Sequence, residues 1–244
     1  MNARCRFPPG NTRSLLALLL LALLPLALAA APAAKAPAGP APVAGVDYIE
    51  IVGGSAFAPV AGKIEVAEAF GYTCGHCANF EPRLSAWAAK LPADVKFTAV
   101  AAPFGGFWIP YARAFYAAQS LGLAEATHAA LFRALHEERS LPLTQPTREE
   151  IAAFYAGHGA DPKRFIAAMA SPGVEAQLEH ARQFLRDSGV EGTPTLIVNG
   201  KYRVTGGSSA DDVLRITEHL IARERAALPR TPVRRQQAKP SPAG

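Results

Sequence analysis

The stretch that decides the fold is IEVAEAFGYTCGHCANFEPRLSAWA, residues 64–88. Residues 64–70 alternate in the pattern of a strand, with Ile64, Val66, Glu68 and Phe70 on one face. From Cys77 onward, apolar residues recur every three to four positions, which predicts a helix that turns one face toward a core. The segment therefore predicts a strand, a C-x-x-C turn and a helix in direct succession.

Four further strand patterns and a long helical segment surround this unit. The strand patterns cover residues 47–52, 95–101, 195–198 and 201–205. Asn199-Gly200 lies between the last two and is typical of a hairpin turn. The helix patterns cover residues 111–121, 124–137, 148–157, 162–170 and 174–187. An ordinary crossover needs only about a dozen residues, so these helices predict a helical domain inserted into an α/β fold.

The N-terminus has the pattern of an export signal. Arginines in residues 4–13 precede a Leu/Ala run at residues 15–28, and Ala27-Leu28-Ala29 supplies small residues for cleavage. A membrane anchor is the alternative, but Pro25 and these small residues favour a cleavable signal peptide at residues 1–29. Cys5 would leave with it, so that Cys74 and Cys77 remain as the cysteines of the exported chain. We expect an oxidising compartment, the periplasm.

Composition and charge exclude two classes of protein. Half of the chain is hydrophobic and 18% is charged, which is not the composition of a disordered protein. The net charge is +5, but residues 47–227 hold 17 basic and 20 acidic residues. Since a nucleic-acid groove needs a basic face on the folded part itself, we expect no nucleic-acid partner.

The cysteine spacing predicts a redox-active disulfide. Residues at i and i+3 on a first helical turn face the same way, within reach of a disulfide. Cys74 would lie at the helix start, where free N–H groups and the helix dipole favour an anion and lower the pKa of a thiol. Cys77 would lie one turn inside and suits the resolving cysteine, while His76 is placed to favour the Cys74 thiolate.

Two other uses of the cysteine pair are weighed against this one. A structural disulfide that closes so short a loop stabilises little. A closed metal site needs about four ligands, and the chain has no second C-x-x-C. We interpret the remaining histidines as solvated surface residues and expect no bound metal. They are His128, His136, His158, His180 and His219.

The chain resembles the DsbA thiol:disulfide oxidoreductases. The resemblance lies in VAEAF (66–70), CGHCANFE (74–81) and GTPT (192–195), together with the helical insertion and the export signal. It implies an α/β thioredoxin fold with an inserted helical domain. Together with the patterns of composition, the resemblance divides the chain into a signal peptide (1–29), an Ala/Pro linker (30–46), the two parts of the thioredoxin fold (47–104 and 190–227), the inserted helical domain (105–189) and a Pro/Arg/Gln-rich tail (228–244) that we expect to be disordered.

The resemblance also implies roles for residues outside the cysteine pair. It implies a cis peptide at Thr193-Pro194 facing the disulfide, with the Thr193 backbone free to pair with an extended substrate and Pro194 excluding metal from the sulfurs. It places Glu68 beneath the active-site helix, where this residue influences proton transfer at Cys77. Glu81 matches an acidic position on that helix.

Two positions depart from the best-known family members. Those members carry a lysine where Ala99 stands, so that the charge partner of Glu68 is missing here. Gly75-His76 replaces a Pro-His pair and matches the dipeptide of protein disulfide isomerases, which predicts a milder oxidant.

The resemblance implies a protein dithiol oxidase that introduces disulfide bonds into exported proteins, as a monomer without a dissociable cofactor. Its partners would be unfolded exported proteins with free cysteines and a DsbB-type membrane quinone reductase that restores the disulfide. We expect an apolar rim near the site to receive both partners. It would be formed by Tyr72, Phe104, Phe107 and Trp108.

Two alternatives stay open at this point. One is a disulfide reductase or isomerase on the same fold, although isomerases of the DsbC type carry an N-terminal dimerisation domain. The other is a metal-delivery module, which would need additional Met, His or Cys residues near the site.

Overall fold

The computed structural model describes residues 37–228, which form a thioredoxin fold around a five-stranded mixed sheet. The sheet order is β1-β5-β4-β2-β3; β2 and β3 are parallel and the other neighbours are antiparallel. The strands are β1 (Tyr48–Glu50), β2 (Ile64–Phe70), β3 (Val95–Ala101), β4 (Thr195–Val198) and β5 (Tyr202–Val204). The predicted signal peptide, the start of the linker and the tail from residue 229 lie outside the described residues.

The helices divide between the two faces of the sheet. α1 (Gly75–Ala88) and α7 (Ala210–Ala227) belong to the thioredoxin fold, and five helices between β3 and β4 form the inserted region. These are α2 (Trp108–Ser120), α3 (Ala124–His136), α4 (Arg148–Ala156), α5 (Pro162–Met169) and α6 (Pro172–Asp187). The prediction of a thioredoxin fold with inserted helices is confirmed.

β2 is the centre of the core because both of its faces are covered. All seven of its residues are buried. Ile64 and Val66 pack with Leu84 of α1 and the apolar face of α7, whereas Ala67 and Ala69 pack in the cluster formed by the inserted helices. Glu68 shares its face with Ile64 and Val66, and its side chain therefore lies under α1.

Some element ends differ from the predicted ones by a few residues. The first inserted helix begins at Trp108 rather than at residue 111, because Gly105 and Gly106 supply carbonyl acceptors and Pro110 is tolerated in a first turn. The last begins at Pro172, since Ser171 caps it. The predicted hairpin is confirmed, with Asn199 and Gly200 at positive φ in the turn.

Candidate redox site

The cysteine pair lies at the start of α1, directly after the central strand. Cys74 is the N-cap residue, with extended backbone angles, and its Sγ accepts a hydrogen bond from the Cys77 backbone N–H at 3.4 Å. Both cysteines are free thiols in this structure; Cys74 is half-buried, whereas Cys77 is 1% exposed. The outer sulfur is therefore open to another protein, and the inner sulfur is covered.

The chain before β4 forms the wall opposite the cysteines. Thr193-Pro194 is a cis peptide, as the resemblance implied, and the carbonyl oxygen of Thr193 lies 3.4 Å from Cys74 Sγ. A groove of about 590 Å³ runs beside this contact, lined by His76, Phe80 and Leu196 among others. The groove reaches the Thr193-Pro194 segment, whose Thr193 carbonyl oxygen contacts the exposed sulfur.

The surroundings of the two cysteines shift their pKa values in opposite directions. The pKa of Cys74 falls to about 5, chiefly through its hydrogen bond with the Cys77 side chain, with help from Thr193 and from the backbone N–H groups of Cys77 and His76. The pKa of Cys77 rises well above its ordinary value through the same contact and through burial. At neutral pH, Cys74 is therefore the thiolate and Cys77 is the thiol.

His76 occupies the position between the cysteines, but its side chain is exposed. The contribution of this residue to the lowered pKa of Cys74 comes from its backbone N–H. A role for the imidazole itself remains a prediction.

Glu68 lies beneath the cysteines and has no cationic neighbour on the adjacent strand. It is 2% exposed, and its Oε2 has no hydrogen-bond partner among the described residues. Burial raises the pKa of Glu68 well above its ordinary value, and the nearby charges of Glu81 and Cys74 raise it further. The β2–β3 register pairs Glu68 with Ala99, so that an alanine and no charged side chain stands opposite Glu68 on β3.

Glu81 of α1 lies near Glu68 and contacts a histidine of the inserted region. It is 6% exposed, and Ser85 Oγ donates a hydrogen bond to its Oε1. His128 Nε2 lies 3.4 Å from Glu81 Oε2, and the other ring nitrogen, Nδ1, lies 2.8 Å from the Tyr72 hydroxyl. A buried polar cluster, formed by Glu68, Tyr72, Glu81 and His128, therefore adjoins the cysteine helix.

Known proteins share both the sequence and this fold. Residues 109–216 match the family model described as a DSBA-like thioredoxin domain. The thiol:disulfide interchange protein DsbA of Pseudomonas aeruginosa is 40% identical over 75% of this chain and 86% of its own length, and that of Azotobacter vinelandii is 40% identical over 75% and 85%. The chain belongs to the DsbA family.

A solved DsbA structure extends the likeness to the whole described fold. The oxidoreductase DsbA from Xylella fastidiosa is 51% identical, with a TM-score of 0.74, and the match covers 76% of this chain and 98% of that one. The DsbA of Pseudomonas aeruginosa gives 40% identity and a TM-score of 0.69 over 76% and 95%. As a DsbA-family protein, this chain is a thiol:disulfide oxidoreductase.

Two predictions about single residues near the site are wrong. Tyr72 does not belong to an exposed rim: it is 2% exposed and packs against Phe70 and Phe132. His128 is not a solvated surface residue, because only 15% of its side chain is exposed. Sequence reasoning missed it, although His128, Leu131, Phe132 and Leu135 share one face of α3, a spacing that predicts burial.

The other histidines and the rim aromatics have varied surroundings. His158 and His180 are exposed, as predicted. His136 and His219 are half-buried, contrary to the prediction, and His136 Nε2 lies 2.7 Å from the Tyr72 carbonyl oxygen. Phe104 and Phe107 are 42% and 47% exposed and contact Trp108, which packs against Gly71 so closely that a Cβ there would lie 1.9 Å from the indole.

Two further features concern residues 37–228. No three or more His, Cys, Asp and Glu side chains in this range come together as a metal site. No helix in the same range is both long enough and apolar enough to cross a membrane.

Proposed function

We propose that this DsbA-family protein is a periplasmic protein dithiol oxidase that introduces disulfide bonds into exported proteins through Cys74 and Cys77. The observation that carries the proposal is the geometry at the start of α1, where the half-buried Cys74 caps the helix 3.4 Å from the Thr193 carbonyl oxygen while Cys77 is covered. A pKa of about 5 at Cys74 stabilises the reduced form of the site. A stabilised reduced form makes the corresponding disulfide more oxidising than a disulfide between ordinary thiols, because its reduction is then more favourable.

The reaction begins at the exposed sulfur of the oxidised site. A substrate thiolate attacks Cys74 Sγ, the bond between Cys74 and Cys77 breaks, and the electron pair leaves on Cys77 as a thiolate. Attack at Cys74 is favoured because Cys74 is half-buried and Cys77 is covered. The product is a mixed disulfide between the substrate and Cys74.

Proton transfer and substrate binding support this step. The raised pKa of Glu68 keeps a proton on its carboxyl group at a pH where most carboxyls have lost theirs. Glu68 gives this proton to the Cys77 thiolate, whose own pKa is also raised. The Thr193 backbone, 3.4 Å from Cys74 Sγ, pairs with the extended substrate, and Pro194 keeps metal from the sulfurs.

The second half-reaction releases the oxidised product. A second substrate thiolate attacks the substrate sulfur of the mixed disulfide, so that the substrate gains a disulfide and Cys74 leaves as a thiolate. A low thiol pKa makes Cys74 a good leaving group. A DsbB-type membrane quinone reductase then takes the two electrons and restores the disulfide, and the exposed Phe104 and Phe107 provide an apolar surface near the site for such partners.

The proposal extends to the rest of the chain. Residues 1–29 act as the export signal, residues 30–46 are a linker, and the mature protein works as a monomer without a dissociable cofactor. His76 aids the reaction at Cys74, to which its backbone N–H already contributes.

The test combines capture with a redox equilibrium. In a periplasmic expression strain, Cys77→Ala should accumulate mixed disulfides with exported proteins, because the resolving sulfur is absent, whereas Cys74→Ala should capture none. Equilibration of the purified protein with glutathione should give a reduction potential well above that of the reductant thioredoxin, which is about −270 mV. A potential at or below about −270 mV would instead identify a reductase, and a failure of Cys77→Ala to capture any protein would contradict the assignment of Cys74 as the nucleophile.

A further inference from the structure

The buried polar cluster draws its four members from four different parts of the chain. Glu68 comes from β2, Tyr72 from the segment before α1, Glu81 from α1 and His128 from α3 of the inserted region. When Glu68 gives its proton to a sulfur it becomes a buried carboxylate, which is costly until a proton from solvent replaces the one that was lost. Such a replacement requires a member of the cluster that connects the carboxyl groups to water.

The contacts of His128 orient both of its ring nitrogens. The Tyr72 hydroxyl lies 2.8 Å from Nδ1, and a neutral imidazole that accepts this hydrogen carries its own hydrogen on Nε2. Nε2 lies 3.4 Å from Glu81 Oε2. The ring therefore presents its hydrogen-bearing nitrogen to the carboxylate.

His128 is also the member of the cluster that reaches solvent most. Its side chain is 15% exposed, against 7% for that of Glu81, while Glu68 and Tyr72 are each 2% exposed. Imidazole is the side chain best suited to take up and release a proton near neutral pH. His128 therefore combines the largest exposed fraction in the cluster with a group that can exchange protons.

The remaining neighbours of the ring do not titrate. β2 presents Phe70, α2 presents Phe115 and α3 itself presents Phe132, with ring centroids 4.8, 6.1 and 5.2 Å from that of His128. The titratable groups that face the ring are thus Tyr72 and Glu81, with Glu68 beyond Glu81. His136, two turns along α3, contacts the backbone of Tyr72 instead.

We propose that His128 is a positioning residue that passes protons between solvent and the Glu68–Glu81 pair during thiol–disulfide exchange. The proposal rests on the dithiol oxidase function proposed above and deepens it. When the disulfide is reduced, Glu68 gives its proton to the Cys77 thiolate. His128 takes a proton from water at Nδ1, where the Tyr72 hydroxyl oxygen can accept the new N–H, and the imidazolium then passes the hydrogen on Nε2 to the carboxyl pair through Glu81, which leaves the ring neutral again. Re-oxidation of the dithiol reverses each transfer.

The test replaces His128 by glutamine, whose amide keeps both hydrogen-bonding functions but does not titrate. The single-turnover rate at which the oxidised protein oxidises a dithiol peptide is measured from pH 5.5 to 8.5, at increasing concentrations of imidazole buffer. We expect His128→Gln to be about tenfold slower than the unaltered protein at pH 7 in dilute buffer. This expected loss is smaller than the roughly 10²–10⁴-fold contribution of a side chain that itself acts as a general acid or base, because His128 acts through two carboxyl groups. Added imidazole should restore the rate.

Matched variants separate a proton route from a structural role. His180 also packs against an aromatic ring and bonds a backbone carbonyl, at Phe57, so His180→Gln should leave the rate and its pH profile unchanged. A His128→Gln rate that equals that of the unaltered protein would overturn the proposal. So would a slow rate that follows the unaltered pH profile and does not respond to imidazole.

A second variant keeps the test decisive if His128→Gln does not fold. Tyr72→Phe removes only the hydroxyl that orients Nδ1, and we expect its pH profile to shift while its fold is kept; an unshifted profile would contradict the proposal. Failure of the proposed function is a different outcome, because the unaltered protein would then not oxidise the peptide at all.

Discussion

The start of α1 and the starts of α5 and α6 in the inserted region have the same geometry but different acceptor atoms. At α5 and α6, Asp161 Oδ1 and Ser171 Oγ accept the N–H of the residue three positions on, at 2.7 and 3.3 Å. At α1, Cys74 Sγ accepts the N–H of Cys77 at 3.4 Å. All three capping residues have extended backbone angles.

The difference shows how a stabilising device becomes a reactive one. An oxygen cap satisfies a free N–H group permanently and contributes about 1 kcal/mol to stability. A thiol is a weak acceptor, so the same N–H groups interact strongly with Cys74 only when the sulfur is an anion. The helix start therefore stabilises one redox state of the protein over the other, whereas the caps of the insertion stabilise every state alike.

The largest expected effect comes from converting the sulfur cap to an oxygen cap. Cys74→Ser should abolish dithiol oxidation, because the remaining Cys77 is covered and its pKa is raised. The free energy of unfolding should stay within about 1 kcal/mol of that of the reduced parent, since serine is a good N-cap residue. Peptide oxidation and urea unfolding measure the two quantities, and residual exchange through Cys77 alone would refute the assignment of roles.

The next largest effect concerns Glu68, the buried carboxyl group beneath α1, which has no counterpart at the starts of the inserted helices. Between the ordinary pKa of a glutamate and its own raised pKa, Glu68 holds a proton in the folded protein that the unfolded chain has lost. The free energy of unfolding therefore falls as pH rises through this window. Glu68→Gln should remove the fall and stabilise the protein at pH 8, with little change at pH 4.

A neighbouring carboxylate provides the control for that experiment. Glu65 is equally buried, but it accepts hydrogen bonds from the backbone N–H groups of Phe57 and Ala58 and from the Thr98 hydroxyl. Glu65→Gln should destabilise the protein, because an amide hydrogen must then face one of these donors. Urea unfolding at both pH values distinguishes the two; destabilisation by Glu68→Gln at pH 8 would contradict the account.

A smaller effect tests whether a helix start alone accounts for the thiolate. Ser171→Cys, in a chain that also carries Cys74→Ser and Cys77→Ser, places a sulfur at an ordinary cap. Its thiol pKa should lie below that of a free cysteine but above that of Cys74, because the largest cause at Cys74 is the second sulfur. Thiolate absorbance gives both pKa values, and equal values would assign the whole effect to the helix start.

The smallest effect is expected at an oxygen cap. Asp161→Ala should lower the free energy of unfolding by about 1 kcal/mol through loss of the N-cap hydrogen bond. Dithiol oxidation and the Cys74 thiolate titration should not change, because the cap lies in the inserted region. A shifted thiolate titration in this variant would show that an oxygen cap in the inserted region also affects Cys74, which would contradict the distinction between the two kinds of helix start.

The sequence predicted the elements that carry their own signal. The bounds of β2 and β3 agree with the structure, because alternation and short apolar runs mark them, and the parity of β2 placed Glu68 among buried residues. The cysteine spacing predicted one side of the site, and the likeness of the Thr193-Pro194 segment to the DsbA family predicted the other.

What the sequence did not predict depends on contacts between distant segments. Tyr72 is buried because α3 of the insertion covers it, and His128 reaches Glu81 only because α3 packs beside α1. No pattern within either segment specifies this packing. The periodicity of α3 indicates that His128 faces inward, but not that a carboxylate lies opposite.

The central claim is that the start of α1 holds Cys74 as a thiolate, and its titration tests this most directly. The ultraviolet absorbance of the thiolate is followed against pH in the reduced protein, with Cys74→Ser as the blank. The lowered pKa stabilises the reduced protein at neutral pH, and this stabilisation is lost as pH falls through about 5. The account predicts a midpoint near pH 5; a midpoint near that of a free cysteine, about 8.5, would contradict it.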